Sequence, residues 1–345
     1  MKILISASNM MHINNFHLPY IEALKEMGHQ VYVMARGEGA DFNIEFEKST
    51  LSVKNFSLVK RIKAIIKEEN FDIIFLHTSL CAFFVRLALK GIKKRPRVVN
   101  TVHGYLFGKG FSPLHNAIYL LCEKITKKQT DHIVVMNDED YEIATKNKLS
   151  LDGVSKINGI GIDFSKLARR EIDKEEKTLV FVGELSKRKN QAYLIRAIKN
   201  LPEHRLILVG DGGERPRLEK LIKRNNLSGR VFITGYQADV SSYIQRASVY
   251  VSASKIEGLP FNVLEAMHFG KPILASRIKG HVDLLDNDSL FSLKKKDGLK
   301  IALSKCSEAE RKYDVLKYSK EICLAQNMEI YQAQMEKTKK KPAYV

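Results

Sequence analysis

The sequence predicts an α/β protein made of two doubly wound, Rossmann-like domains. Strand-like apolar runs alternate with helical periods over residues 2–136, and a second alternating series begins after Asp163. A chain of 345 residues with 44% hydrophobic side chains is long enough for two such cores. We expect each sheet to be parallel and ligands to bind at the carboxyl ends of the strands, in a cleft that the two domains face.

The predicted elements follow in order along the chain. The first series gives strands at residues 2–8, 30–35, 72–76, 97–102 and 132–136, with helices at 16–27 and 58–69 among them. The second series gives strands at residues 179–182, 205–209, 231–233, 249–252 and 272–275. Residues 159–163 and the charged run after them form the predicted linker, and a helical stretch covers 307–335.

A pair of glutamates lies between the last two predicted strands. Glu257 is on a Gly-Leu-Pro turn, and Glu265 lies about one turn into a helix that Gly270 ends. A helix N-terminus favours a diphosphate, and the expected amide donors are those of Phe261, Asn262 and Val263. Glu265 could accept hydrogen bonds from a ribose diol and Glu257 from sugar hydroxyls. A capped helix with two solvated acids explains the spacing equally well.

These residues, with the Ala-Met-x-x-Gly-x-Pro run at 266–272, resemble the E-x7-E signature of retaining family-4 glycosyltransferases with the GT-B fold. Three further segments are similar to that family in order and spacing: 182–190, 209–221 and 231–240. In the amino half, residues 14–35 and 100–110 resemble bacterial enzymes of capsular and exopolysaccharide synthesis. The resemblance covers nearly the whole chain.

The resemblance implies an acceptor-binding domain at residues 1–162 and a nucleotide-sugar-binding domain at 163–321. A C-terminal helix at about 322–345 is expected to pack back on the first domain. The implied reaction transfers a hexose or N-acetylhexosamine, with retention, from a nucleoside diphosphate sugar, and UDP is the expected nucleotide. The expected acceptor is a polyprenyl-diphosphate-linked saccharide. A GT-B sugar-nucleotide epimerase and a non-catalytic sugar-nucleotide binding protein are the alternatives.

The donor site departs from the family pattern at one position. Gly183 and Lys189 match the family's glycine and lysine, but Glu184 stands where an arginine is usual. Either Glu184 points away or pairs with a base while Arg188 supplies the positive charge, or the phosphate site is weaker than usual. The other donor contacts that the resemblance implies are Gly258, Leu259, Pro260, Phe261, Asn262 and Glu265. The implied catalytic residues are Glu257 and His103.

Histidines dominate the predicted acceptor side. His103 follows a buried strand, and the resemblance implies that it contacts the donor sugar and stabilises charge near the anomeric carbon. A lone histidine at a strand end is more often an ordinary polar group. A loop after the first strand is expected to bind the acceptor, although capping of the next helix explains Asn14 equally well. The predicted acceptor contacts are His12, Asn14, His17 and Tyr105, the last on a mobile aromatic loop or else packed in the core.

No metal or other cofactor is expected. Cationic side chains and helix amides are available for the diphosphate, and the acidic run at residues 138–140 is typical of a helix start, where acids need no ligand. The leaving phosphate could itself accept the acceptor's proton during a front-face attack.

The net charge of +18 predicts an anionic partner. Nucleic acid is not expected, because the chain lacks a binding motif and interleaved aromatic and basic residues. An anionic membrane surface is expected, and the basic stretch at residues 58–67 could touch it, although packing of that helix on the sheet is the simpler explanation. Four widely spaced cysteines and the lack of a long apolar run predict a cytoplasmic protein, peripheral at most at the inner face of the cell membrane.

Overall fold

The computed structural model describes residues 1–47 and 52–339 of the chain. These residues form two compact units. The first unit comprises Met1–Gly161 and the chain from Lys320 onward, and the second comprises Ile162–Ser319. The second unit is therefore an insertion in the chain of the first.

A parallel sheet of seven strands forms the centre of the first unit. The strands are β1 (Lys2–Asn9), β2 (Gln30–Arg36), β3 (Phe42–Asn43), β4 (Ile73–His77), β5 (Arg97–Val102), β6 (His132–Val135) and β7 (Val154–Lys156). Their order is β3-β2-β1-β4-β5-β6-β7, so the direction of winding reverses between β1 and β4. A crevice forms at the carboxyl ends of the strands at such a reversal.

Helices cover both faces of this sheet, which is why β4 and β5 are buried along their whole length and lack alternating polarity. The helices are α1 (Met10–Phe16), α2 (Leu18–Glu26), α3 (Val53–Glu69), α4 (Ser79–Ala88), α5 (Pro113–Thr126) and α6 (Asp138–Lys146). Ile62 and Ile66 of α3 pack in the core with residues of β4 and α4. The packing explanation of the basic stretch at 58–67 is thus confirmed for its apolar side.

The second unit has a parallel sheet of six strands. The strands are β8 (Glu175–Val182), β9 (Arg205–Val209), β10 (Val231–Gly235), β11 (Ala247–Ser252), β12 (Ile273–Ser276) and β13 (Leu290–Phe291). Their order is β10-β9-β8-β11-β12-β13, so the winding reverses between β8 and β11. The helices are α7 (Gln191–Ile198), α8 (Arg215–Arg224), α9 (Ser241–Arg246), α10 (Phe261–His268) and α11 (Gly298–Leu303).

The last helix, α12 (Lys320–Lys339), belongs to the first unit. The ring of Tyr331 stacks on Phe75 of β4 with 3.9 Å between centroids. The side-chain oxygen of Gln334 accepts hydrogen bonds from Nε and Nη2 of Arg97, at 3.0 and 2.7 Å. These contacts fasten α12 to the two central strands β4 and β5. Residues 340–345, which the predicted terminal helix includes, lie outside the described residues.

The helix predicted at residues 16–27 is confirmed as α2, whereas the short helix α1 before it was not predicted. The helix predicted at 307–335 is wrong in its first part. The stretch at 307–319 lacks α-helix and has a single 3-10 turn at Leu316–Tyr318. Its polar groups are used elsewhere, because the amide of Arg311 donates to the Gly270 carbonyl at 2.8 Å and the Tyr313 hydroxyl donates to the Lys271 carbonyl at 3.0 Å.

Within the described ranges, no helix has the length and apolar character that a membrane crossing requires. The four cysteines are free thiols.

Candidate active site

The polar residues of the second unit gather where β8 and β11 end, which is the point of reversal in its sheet. The segment after β8 carries Gly183 to Asn190, and the segment after β11 leads through Glu257 into α10. The amide of Lys255 donates to the carbonyl of Arg188 at 2.9 Å, and the side-chain amide of Asn190 donates to the carbonyl of Ala253 at 3.1 Å. These bonds hold the two segments side by side.

Glu257 is the acceptor at the centre of this arrangement. Nη1 of Arg188 donates to Oε2 of Glu257 at 2.6 Å, and Nζ of Lys189 lies 2.7 Å from Oε1. Glu257 and Lys189 are both buried, whereas Arg188 is exposed on one side. The structure therefore brings together three of the predicted site residues in one charged cluster, which we call the Glu257 cluster.

The two glutamates of the signature have opposite electrostatic environments. Burial alone would raise the pKa of Glu257, but the charges of Lys189 and Arg188 hold the pKa at about 2. Burial raises the pKa of Glu265 to about 7, and Lys189 counteracts this only in part. Burial also lowers the pKa of Lys189, against the attraction of Glu257. Lys189 is thus the cation that acts on both carboxyl groups.

Glycines allow the strand ends to approach closely. Gly210 follows β9 with φ +139°, and a Cβ there would lie 2.1 Å from the carbonyl oxygen of Gly183. Gly183 itself has φ +142°, in the region that glycine tolerates best. No larger residue at position 210 would leave the backbone after β8 where it is.

The start of α10 is fixed to β8 by a side chain. Nδ2 of Asn262 donates to the carbonyl of Val182 at 2.9 Å. The amide of Val263 donates to the Pro260 carbonyl at 3.0 Å, so the expectation that this amide awaits a phosphate is wrong. Leu259 and Phe261 pack on the core of the second unit, and Gly258 is buried. These residues shape the turn that carries Glu257.

Glu184, at the position where the family pattern has arginine, has an exposed side chain. Its carbonyl accepts a hydrogen bond from Nε2 of Gln191 at 2.7 Å, which ties its backbone to the start of α7. Arg188 lies on the Glu257 carboxylate, as given above, so a guanidinium is present in the site from a different position. The charge of Glu184 also acts on Lys189 and favours the protonated form of that lysine, so the orientation of Glu184 away from the site stays a prediction.

The sequence prediction missed the turn after β12. Gly280 approaches the backbone of the Gly-Leu-Pro turn so closely that a Cβ would lie 2.7 Å from the Gly258 carbonyl oxygen. His281 is fully buried, with Nδ1 2.8 Å from the Ser276 carbonyl oxygen, and burial lowers its pKa to about 4. Lys279 is also buried. The contact joins two turns that are separated along the chain, and neither turn has a sequence pattern that indicates the other.

The first unit has its own cluster at the reversal between β1 and β4. His12 lies in α1 after β1, His17 lies between α1 and α2, His77 ends β4, and His103 follows β5. We call these four residues the histidine cluster. The His17 and His77 rings are 3.8 Å apart, and those of His12 and His103 are 5.0 Å apart. His77 was not predicted, because only the strand order places the end of β4 beside the other three.

The histidine cluster is neutral and contains hydrogen-bonding groups that the fold leaves unused. Burial lowers the pKa of His12 to about 4 and that of His103 to about 3, and it places the pKa values of His17 and His77 well below their ordinary range. Nδ1 of His77 lies 3.3 Å from Nε2 of His103. Among the described residues, neither ring nitrogen of His17 has a hydrogen-bond partner, nor does Nε2 of His12. A polar ligand would satisfy these atoms.

Two predicted acceptor residues, Asn14 and Tyr105, have surroundings that differ from those predicted. Asn14 is exposed on α1, and Asn9 caps that helix by accepting from the amide of His12 at 2.9 Å. The expected loop at this point is therefore a short helix, and Asn14 does not cap the next one. Tyr105 is only 2% exposed and packs with Phe107 in the core, so the expected mobile aromatic loop is wrong.

The acidic run that begins α6 serves the fold. Asn137 caps the helix, the carboxylate of Asp138 pairs with Lys156, and Glu139 accepts from the amide of Lys109 at 2.6 Å. Asp140 accepts from the amide of Tyr105 at 3.1 Å. A separate group in the described ranges has metal-ligand spacing, since ligand atoms of His12, His17 and His103 lie within 4.8 Å of one another.

Two family models match the chain, one on each unit. The model described as Glycosyltransferase Family 4 matches residues 20–148, and the model described as Glycosyl transferases group 1 matches residues 164–320. The second match contains the Glu257 cluster and Glu265.

Individual proteins agree with these matches. EpsD of Bacillus subtilis (strain 168), named as a candidate glycosyltransferase, is 29% identical in an alignment of length 347 that covers 93% of this chain and 89% of that protein. The UDP-Gal:alpha-D-GlcNAc-diphosphoundecaprenol alpha-1,3-galactosyltransferase of Escherichia coli is 32% identical in an alignment of length 263 that covers 68% of this chain and 67% of that protein.

A solved structure shows the same fold. Anabaena HepE in complex with UDP-glucose is 17% identical to this chain and superposes with a TM-score of 0.68. The match covers 98% of this chain and 99% of that one. With two family models in order along the chain, a relative at 32% identity and two parallel-sheet Rossmann-like units, the chain belongs to glycosyltransferase family 4 and has the GT-B fold.

Proposed function

We propose that this glycosyltransferase moves a hexose or N-acetylhexosamine from a nucleoside diphosphate sugar, with UDP as the nucleotide, to a polyprenyl-diphosphate-linked saccharide. The transfer retains the anomeric configuration and serves the synthesis of a surface polysaccharide. The Escherichia coli relative supports the choice of donor and acceptor, because its name specifies UDP-galactose and an undecaprenyl-diphosphate-linked sugar. The observation that carries the proposal is the contact of Lys189 with Glu257 beside Glu265.

The Glu257 cluster suits a donor with a diphosphate and a sugar. Lys189 and the exposed guanidinium of Arg188 would hold the phosphate oxygens, and the low pKa of Glu257 keeps its carboxylate ionised as an acceptor for sugar hydroxyls. Glu265 would accept hydrogen bonds from the ribose hydroxyls. Gly183 allows a ligand to approach the backbone after β8.

The two substrates supply every atom whose bonds form or break in the chemical step. The acceptor hydroxyl oxygen forms a bond to the anomeric carbon as the bond from that carbon to the phosphate oxygen breaks. The proton of the hydroxyl passes to an oxygen of the leaving diphosphate on the same face of the sugar, which gives retention. Lys189 and Arg188 stabilise the charge that develops on that diphosphate.

The histidine cluster would serve the saccharides. A neutral imidazole offers one donor and one acceptor, which matches the hydroxyl groups of a sugar better than a charged group would. His12 and His17 have unused buried nitrogens for this purpose, and His103 would contact the transferred sugar. Because their pKa values are low, these side chains stay neutral throughout the physiological range.

A comparison of two neighbouring lysines tests the donor site. Lys189→Met should lower kcat/KM about 10- to 100-fold, because a hydrogen bond to a charged group is lost. Lys187→Met is the matched control, since Lys187 is exposed in the same segment. The assay combines purified enzyme, UDP-sugars, GDP-sugars and ADP-sugars, and an undecaprenyl-diphosphate-linked disaccharide, and NMR identifies the anomer of the product.

The same assay tests whether Arg188 supplies the positive charge that an arginine at position 184 usually provides. Arg188→Gln should weaken donor binding, whereas Glu184→Gln should strengthen it by roughly 1.5- to 5-fold, as expected for an exposed charge. An inverted product would reject the retaining mechanism. Turnover of the donor without acceptor would identify an epimerase, and binding without turnover would identify a sugar-nucleotide binding protein.

A further inference from the structure

Helix α5 carries an apolar stripe that faces solvent. Its members recur at helical spacing and lie on one side of the helix, with exposed fractions of 73%, 47%, 56% and 41% for Leu114, Ile118, Leu121 and Ile125. We call these four residues the α5 stripe. Contiguous exposed apolar surface of this kind is rare on a soluble monomer and marks a contact site.

The opposite side of α5 faces the interior and is of mixed character. Tyr119 and Leu120 pack against the core there, while Glu123 and Thr126 are buried and Glu123 is paired with Arg86. The core contacts of α5 thus use apolar side chains other than the four of the stripe. Packing of the fold therefore does not explain the four aliphatic side chains.

Lysines accompany the α5 stripe. Lys124 is exposed on α5 beside the stripe, and Lys128 is exposed in the 3-10 turn Lys127–Gln129 that directly follows the helix. The chain as a whole carries a net charge of +18. Apolar side chains on one face with lysines beside them are the pattern of a helix that lies in the interface of an anionic bilayer. A protein partner would need an acidic rim to meet the same surface.

The basic helix α3 lacks such a face. Its residues Ile62 and Ile66 are buried in the core, and Leu58, Val59 and Ile65 pack against that core. Its cations could meet lipid headgroups, but among its large apolar side chains only Val53 and Phe56, at its start, are exposed, against four along the length of α5. The observations therefore favour α5 over α3.

We propose that the α5 stripe inserts into the interfacial layer of an anionic bilayer, with Lys124 and Lys128 against its headgroups. The proposal deepens the proposed function and rests on it only for its purpose, which is access to a lipid-linked acceptor. The segment between His103 and α5 connects the two sites, and Nε2 of His115 on α5 lies 2.8 Å from the carbonyl oxygen of Leu106 in that segment.

Vesicle binding by matched triple variants tests the proposal. Leu114→Ser with Ile118→Gln and Leu121→Gln should reduce partitioning onto phosphatidylglycerol-containing vesicles about tenfold for each side chain withdrawn from the bilayer. The control triple is Phe232→Ser, Ile301→Gln and Leu316→Ser, whose side chains are similarly exposed but belong to the second unit. Lys124→Glu and Lys128→Glu should each weaken binding by at least about fivefold.

Several results would overturn the inference. Equal binding by the two triple variants, or undiminished binding of wild type to phosphatidylcholine vesicles without anionic lipid, would reject it. A loss of dimer in the α5 triple variant, with vesicle binding unchanged, would assign the stripe to a second copy of the chain. Circular dichroism of each variant checks folding.

The vesicle test is independent of the proposed transfer reaction. If vesicle binding depends on α5 but wild type transfers no sugar to any lipid-linked acceptor, the membrane proposal is supported and the proposed acceptor is rejected. If wild type transfers sugar to such an acceptor but does not bind vesicles, the proposed acceptor is supported and the membrane proposal is rejected.

Discussion

The guanidinium of Arg86 donates two parallel hydrogen bonds to the carboxylate of Glu123, from Nη1 at 2.9 Å and from Nη2 at 3.0 Å. Nε of Arg86 donates to the Ala82 carbonyl at 2.9 Å, and Nη1 also donates to Oγ1 of Thr130 at 3.2 Å. Arg86 is fully buried. The pair joins α4 to α5 and satisfies a charge that would otherwise be stranded in the interior.

Removal of one partner should be costly. Glu123→Ala should lower the free energy of unfolding by about 3–5 kcal/mol, because it leaves the Arg86 charge buried without its counterion. Glu142→Ala, at an exposed position of α6, should change it by less than about 0.5 kcal/mol. Urea denaturation measures both. If Arg86→Met with Glu123→Leu is as unstable as Glu123→Ala, the stranded charge is not the cause.

Substitutions of two nearby glycines distinguish the effect of backbone strain on stability from the general effect of replacing a glycine. Gly210→Ala should cost at least about 3 kcal/mol, because its φ is +139° and the new Cβ would meet the Gly183 carbonyl. Gly213→Ala should be nearly neutral, since an added Cβ there has no atom within 4 Å. Thermal unfolding compares the two. Equal stabilities would show that the segments after β8 and β9 do not approach as described.

Binding of the nucleotide should release a proton from Glu265. The ribose hydroxyls favour the ionised carboxylate, so the pKa falls from about 7 when the site is filled. Titration calorimetry at pH 7 in buffers of different ionisation enthalpy should show up to about half a proton released, because a group with a pKa of about 7 is half protonated there. The proton release measured with Glu265→Gln is the control, because in that variant the released protons come from the nucleotide and not from residue 265. Equal release from wild type and variant would remove Glu265 from the ribose.

The same carboxyl group should make stability depend on pH. The folded pKa of Glu265 is raised above its ordinary value of 4.5, so its stabilising contribution is complete below pH 4.5 and is lost as the pH rises through about 7. Between pH 5 and pH 8, wild type should therefore lose up to about 3 kcal/mol more than Glu265→Gln. Parallel stability curves would contradict the raised pKa.

Chelation should leave transfer unchanged. Lys189 and Arg188 supply the positive charge at the phosphates in the mechanism proposed above, so EDTA should not lower kcat. If transfer does require a metal, His12, His17 and His103 are the residues whose spacing would allow them to bind it. A metal would be placed there if EDTA lowered the activity and Zn²⁺ or Mn²⁺ restored it. This metal dependence should then disappear in His12→Gln and persist in His115→Gln.

Long apolar strands were predictable because their pattern is local. The runs that became β1, β4, β5 and β9 were identified within one residue at each end. β3, β7 and β13 have two or three residues each, too few for a period to be visible. The stretch at 307–319 has helical periodicity, but its hydrogen bonds to Gly270 and Lys271 come from a distant part of the chain.

The candidate site was predictable as a set of residues and not as an arrangement. Lys189, Arg188 and Glu257 each follow from the motifs, yet their ion pairs arise only because β8 and β11 are neighbours in the sheet. His77 illustrates the same point in the first unit. Residues far apart in sequence become one site through strand order, which a single sequence does not state.

The position of α12 has a consequence for synthesis of the chain. Gln334 and Tyr331 pair with side chains of β5 and β4, which the ribosome makes more than two hundred residues earlier. The ends of the second unit meet instead, since the amide of Ile162 donates to the Tyr318 carbonyl at 2.9 Å. The unit begun first is therefore the last to be completed, and its central strands emerge from the ribosome with part of their cover still untranslated.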